Sequence, residues 1–179
     1  MYQKRLFLYA AAAVMFVFAA TAFGVQDSAL EDIKYKEDYD RIQNIVKVTD
    51  VVKRGEQIVA LYQERPDMDQ KLREYIDSVF TRDLDTMLTQ RKFVALRALT
   101  ERTVKVRPKF GEVYLYQGAA YKNDNKLQEA IDAFAKCYVI NNPLKNRAKQ
   151  QLDLAYRALN KGSLVGQDKV ISKAAKELQ

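Results

Sequence analysis

The sequence predicts an all-α chain, with antiparallel helical hairpins stacked in series and a signal or anchor segment ahead of them. Three observations carry this. Apolar residues recur at helical spacing through most of the chain beyond residue 35. Only 6 glycines and 3 prolines occur in 179 residues, too few for the turns that a compact all-β fold consumes. An uncharged apolar run near the start ends abruptly at a charged stretch that begins with Asp27.

Residues 1–24 read as a targeting segment. Lys4 and Arg5 form a short positive start, and residues 6–23 are 18 positions without a charge. Ala20-Thr21-Ala22 and the overlapping Ala22-Phe23-Gly24 have the small-x-small spacing that a signal peptidase accepts. The run is also long enough to stay in place as a membrane anchor with its start held in the cytoplasm. Cleavage near Ala22 or Gly24 and retention as an anchor both remain open. Either one places the rest of the chain outside the cytoplasm, in a periplasm or cell envelope. No cysteine lies near the end of the run to carry a lipid.

The helical elements follow in order. In 25–66, Tyr39, Ile42, Ile45, Val46 and Val52 recur at helical spacing, and Gly55 is where this helix is expected to break or kink. Ile58, Val59, Leu61 and Tyr62 carry the pattern on to Pro66, which cannot sit inside a helix. In 67–108, Asp67 and Asp69 suit a helix start. Leu72, Tyr75, Ile76, Val79 and Phe80 then form the clearest amphipathic stripe in the chain, extended by Leu84, Met87 and Leu88. A helix over 91–106 follows, with Phe93, Leu96, Leu99 and Val104, and Pro108 ends it.

Residues 109–143 read as a helical hairpin. Tyr114, Leu115, Gly118, Ala119 and Tyr121 lie on its first helix, and Asn123-Asp124-Asn125 makes the turn. Leu127, Ala130, Ile131, Phe134, Tyr138 and Ile140 lie on the second, closed by Asn141-Asn142-Pro143. In 144–179, a helix over 144–160 presents Leu152, Ala155, Tyr156 and Leu159 inward. Gly162 and Gly166 then bracket a loop before a last helix over 167–178.

The catalytic inventory is thin. The chain has no histidine, which removes Ser-His-Asp triads, Cys-His dyads and histidine zinc sites together. The single cysteine, Cys137, cannot form an internal disulfide or a cysteine-rich metal site. It is read as a small buried hydrophobe, with a reactive or intermolecular thiol as the alternative. Paired carboxylates remain chemically available, but none is flanked by the glycines and aromatics of a sugar-binding cleft. The chain is therefore read as non-enzymatic, with no catalytic, cofactor-binding or metal-binding residue.

The net charge of +7 is unevenly spread. Residues 143–179 hold eight bases and three acids, while residues 23–142 sum to zero. This basic segment suits an acidic protein or an anionic surface, or is simply a solvated helix exterior. Nucleic acid is not expected, because the bases lack interleaved aromatics. The eleven tyrosines suit either the space between helices or a wet interface.

Residues 108–143 resemble a tetratricopeptide repeat, a family that packs two antiparallel helices in about 34 residues. Pro108 precedes the hairpin, Gly118 and Ala130 stand at its small positions, and Tyr121 and Phe134 at its aromatic ones. Tyr114 holds a position where tryptophan is usual, Gln117 replaces a usual leucine, and Cys137 a usual alanine. With Pro143 accepted as one residue late, Leu152 and Tyr156 match the first helix of a second repeat, although Asp153 fills its small position. In this resemblance Gly118 and Ala130 let the helix backbones approach, and Tyr114, Tyr121 and Phe134 fill the space beside them.

The resemblance implies a short repeat solenoid that binds protein partners in a concave groove lined by the first helix of each hairpin. Carried over residue by residue, that groove comprises Glu112, Leu115, Ala119, Lys122 and Asn123, joined by Arg147, Gln150 and Arg157. Leu115 and Ala119 stand where some family members place Lys and Asn to clamp a terminal carboxylate, so that mode is not expected. An acidic or amphipathic segment of a partner is the expected occupant. The function expected is a scaffold or adaptor. The alternative is an accessory subunit of an envelope or membrane complex, anchored by residues 6–23.

Overall fold

The structure, a computed structural model, describes residues 32–179. Among these residues there are eight helices and no strand, so the all-α expectation holds. The signal or anchor segment lies outside the described residues. Among the described ones no helix is long and apolar enough to cross a membrane.

The chain divides into two compact units after Gln43. Helix α1 (32–46) begins in the first unit, where Asp38 and Ile42 are buried and Ile33, Tyr35 and Tyr39 are exposed. The second unit runs from Asn44 to Gln179. It holds α2 (Val51–Glu64), α3 (Gln70–Thr89), α4 (Phe93–Val106), α5 (Gly111–Asn123), α6 (Leu127–Val139), α7 (Lys145–Leu159) and α8 (Gln167–Glu177).

The expected break at Gly55 is not there. The helix ends at residue 46, and a new one starts at Val51. Asp50 causes the restart, because its carboxylate accepts from the backbone N–H of Val52 at 2.8 Å and of Lys53 at 3.0 Å. Gly55 sits inside α2, buried where the side chains of Leu99, Met87 and Phe80 converge. Its missing side chain serves packing, not bending. Asp69 caps α3 in the same way, accepting from Lys71 N and Leu72 N. The α4 helix starts two residues later than expected because Arg91 takes a left-handed φ of 57°, which closes a turn. Asn125, with φ 58°, makes the α5–α6 turn. Asn142 ties α6 to α7: its amide donates to the carbonyls of Cys137 and Ile140, and its oxygen accepts from Leu144 N.

From α2 to α7 each helix packs on its neighbours in sequence, and α3, α5 and α7 also pack side by side, α5 in the middle. On the other side α2 meets α4, and α6 meets α8. The core around α2, α3 and α4 includes Ile58, Leu61, Ile76, Phe80, Leu84, Met87 and Leu96, all fully buried. A second cluster joins α5, α6, α7 and α8 through Leu115, Ala130, Ile131, Phe134, Leu152, Ala155 and Ala174.

Two charged pairs lie at the helix junctions around α3. Arg54 of α2 donates to both carboxylate oxygens of Asp83 on α3, and Asp83 is fully buried. Arg107, at the end of α4, forks onto Asp77 of α3, which also accepts from the Tyr62 hydroxyl at 2.6 Å. The Arg107 guanidinium lies 4.6 Å from the ring centres of both Tyr62 and Phe110. These are bidentate, charge-assisted contacts, the geometry in which an ion pair is strongest.

Candidate functional site

The row of α3, α5 and α7 presents two clefts in the second unit. Along α5, Leu115, Ala119, Lys122 and Asn123 follow one helical stripe. That stripe faces a cleft of about 420 Å³, completed by Leu88 of α3, Phe93 of α4, Phe134 of α6, and Arg147 and Gln151 of α7. Its floor is apolar and its α7 flank is basic. Toward the start of α5 lies a second cleft of about 600 Å³. It is lined by charges of both signs, among them Glu74, Asp77, Arg82, Asp85, Lys109 and Glu112, with Tyr116 at its edge.

The floor of the apolar cleft depends on Gly118. A Cβ there would lie 2.5 Å from Cε1 of Phe134, so the ring occupies space that any other residue would fill. The Phe134 ring lies nearest to Gly118, and Ala130 is buried in the α5–α8 cluster. Tyr114 is buried and donates its hydroxyl to the Pro108 carbonyl at 3.0 Å. Tyr121 is half-buried and donates to Glu101 of α4 at 2.9 Å. Burial first, and then the Glu101 carboxylate, push its hydroxyl up to about 12.

Of the eight groove residues expected from the sequence, five line the apolar cleft: Leu115, Ala119, Lys122, Asn123 and Arg147. Glu112 lines the charged cleft instead. Gln150 and Arg157 are exposed and line neither cleft. Their displacement follows from helix geometry, since each lies roughly 60–80° around α7 from Arg147. Gln151, only about 40° away, takes their place.

Leu88, Phe93 and Asp85 were not expected here. Leu88 and Phe93 are visible in the sequence only as members of apolar stripes. Nothing local shows that the end of α3 and the start of α4 reach α5. Asp85 meets Arg147 across α5, with Nη1 and Oδ1 3.3 Å apart at a sequence separation of 62. The Tyr116 hydroxyl lies 3.4 Å from the same oxygen, and burial and then the Asp85 carboxylate push it well above its ordinary range. Lys122 donates to the Gln151 amide oxygen at 3.4 Å.

Cys137, on α6, is fully buried, and burial pushes its thiol up to about 12. Among the described residues no group of three or more Cys, Asp or Glu side chains is arranged to hold a metal ion. The arrangement offers an apolar slot with two cations in its lining, Lys122 and Arg147, which can take up a side chain and a carboxylate together. Compared with known proteins, the chain matches no family model, no curated protein and no solved structure.

Proposed function

We propose that this chain is a non-enzymatic interaction scaffold of the tetratricopeptide kind, and that it binds a segment of a partner protein in the cleft on α3, α5 and α7. One observation carries the reading: the cleft is built by five helices of three successive hairpins yet remains open, with an apolar floor and a basic flank. A slot with those properties suits an extended or helical segment with an apolar anchor residue. The short row of hairpins and the pattern around Gly118, Ala130 and Phe134 support the repeat reading. Residues 1–24 support a site of action outside the cytoplasm, as a soluble adaptor after cleavage or as a tethered subunit without it.

The test is selection of peptides from a random display library on the purified full-length chain, followed by an Ala119→Trp variant that fills the cleft. The expected result is 1:1 binding at about micromolar Kd, weakened at least about tenfold by Ala119→Trp while helix content stays the same. Peptides that bind the variant and the natural chain equally would place the partner surface elsewhere.

A further inference from the structure

The two charged pairs that join helices at Arg54–Asp83 and Arg107–Asp77 are short, forked and mostly shielded from water. The pair across α5 differs on every count. Arg147 meets Asp85 through one nitrogen at 3.3 Å, and the two side chains are 48% and 50% exposed. The Tyr116 hydroxyl, at 3.4 Å, holds the carboxylate no more tightly. A solvent-exposed, single-contact pair of that length contributes little to stability. It nonetheless sits at the boundary of the two clefts, since Asp85 lines the charged one and Arg147 the apolar one.

The neighbouring charges give this position a direction. Lys122, which also lines the apolar cleft, has no carboxylate partner among the described residues. Two cations therefore border an apolar slot, one without a carboxylate and the other loosely held by one. Asp85 also has somewhere to go. Arg82, three residues earlier on α3 and so on the same helix face, lines the charged cleft and has no carboxylate partner among the described residues, and the same holds for Lys109.

We infer that Asp85 stands in for a carboxylate of the partner, and that the partner segment is acidic, with an apolar side chain beside its acidic one. On binding, the partner's carboxylate takes Arg147 and Lys122, its apolar side chain enters against Leu88, Phe93 and Ala119, and Asp85 turns toward Arg82. The pair thus weakens binding by competition and favours partners acidic enough to displace it. This rests on the proposed function above and adds the chemistry of the occupant.

The probes are two fluorescein-labelled peptides of about 12 residues with leucines at helical spacing. One carries Glu at its remaining polar positions and the other carries Gln. Both are titrated by anisotropy into the full chain and into Asp85→Asn, Arg147→Gln, the double variant and Ala119→Trp, each checked for unchanged helix content. The Glu peptide is expected to bind at least about tenfold tighter than the Gln peptide, and less tightly as salt rises from about 50 to about 200 mM. Asp85→Asn tightens the Glu peptide about three- to tenfold, Arg147→Gln weakens it about tenfold, and in the double variant the gain from Asp85→Asn disappears. The Gln peptide responds to none of the charge changes.

A Glu peptide that Ala119→Trp blocks but Asp85→Asn fails to tighten overturns the stand-in role and leaves the groove in place. Equal binding of the two peptides overturns the acidic occupant. Failure of both peptides to bind, while library-selected peptides still depend on Ala119, has the same meaning. If no peptide of any kind depends on Ala119, the groove reading itself is lost.

Discussion

The Phe134 ring of α6 lies directly over Gly118 of α5, so close that a methyl group at residue 118 would overlap two of its carbons, at 2.5 and 2.6 Å. A rigid aromatic ring in a fully buried position cannot yield as an aliphatic side chain can. Gly118→Ala is expected to destabilise the protein by about 1–3 kcal/mol, despite alanine's better helix propensity. Phe134→Leu removes the clash, so in chemical denaturation the double variant should lose at least about 1 kcal/mol less than the sum of the two single changes. Strict additivity would mean that ring and glycine do not meet.

Gly55 provides the contrast. A Cβ there meets Leu99 Cδ1 at 2.9 Å and Met87 Cε at 3.3 Å, both the free ends of flexible side chains. The contact cost is small, and alanine regains about 1 kcal/mol of helix propensity inside α2. Gly55→Ala should therefore fall within about 1 kcal/mol of the natural chain. A loss as large as that at Gly118 would show that the α2–α4 contact is tighter than its side-chain ends suggest.

Asp77 serves Tyr62 and Arg107 at once. Asp77→Ala leaves the guanidinium between two rings without its carboxylate, and the Tyr62 hydroxyl without its acceptor. Both charged side chains are about one-fifth exposed, so the expected loss is about 2 kcal/mol, below the about 3–5 of a fully buried pair. Replacing Arg107 with Met in the same chain should recover part of that loss. A denaturation midpoint that Asp77→Ala leaves unmoved would assign the α2–α3–α4 junction to the aromatic contacts alone.

Cys137 should be silent in the folded protein. Its thiol, normally near 9.0, is pushed up to about 12, chiefly by burial. At pH 8 the thiolate fraction is about a thousandfold below that of an unfolded chain, and access is blocked as well. Disulfide-exchange reagents are expected to label it only after denaturation. The folded state keeps this proton while the unfolded state releases it. The contribution to stability is thus fully present below pH 9, and it falls as pH rises toward 12. Rapid labelling of the native chain at pH 8 would contradict the burial.

Much of this molecule was legible in one dimension. The helices at 70–89, 111–123 and 127–139 follow from apolar periodicity and from turn residues that tolerate left-handed backbone, and both act within a few residues. Gly55 misled because glycine can serve a bend or a contact, and only the side chains of Leu99 and Met87 distinguish them. Asp50 carried the true signal, a capping carboxylate one residue before the helix.

Helix content, the loop positions, the absence of histidine chemistry and the stripe from Leu115 to Asn123 are properties of the sequence by itself, because they depend on residue type and short-range spacing. Tertiary structure alone decided that Leu88 and Phe93 join that stripe, that Gln151 replaces Gln150 and Arg157, and that Asp85 faces Arg147 over a separation of 62 residues. Those outcomes depend on how far each helix is rotated and shifted against its neighbours. Ridge-and-groove packing of whole side-chain surfaces sets that rotation, and no local spacing encodes it.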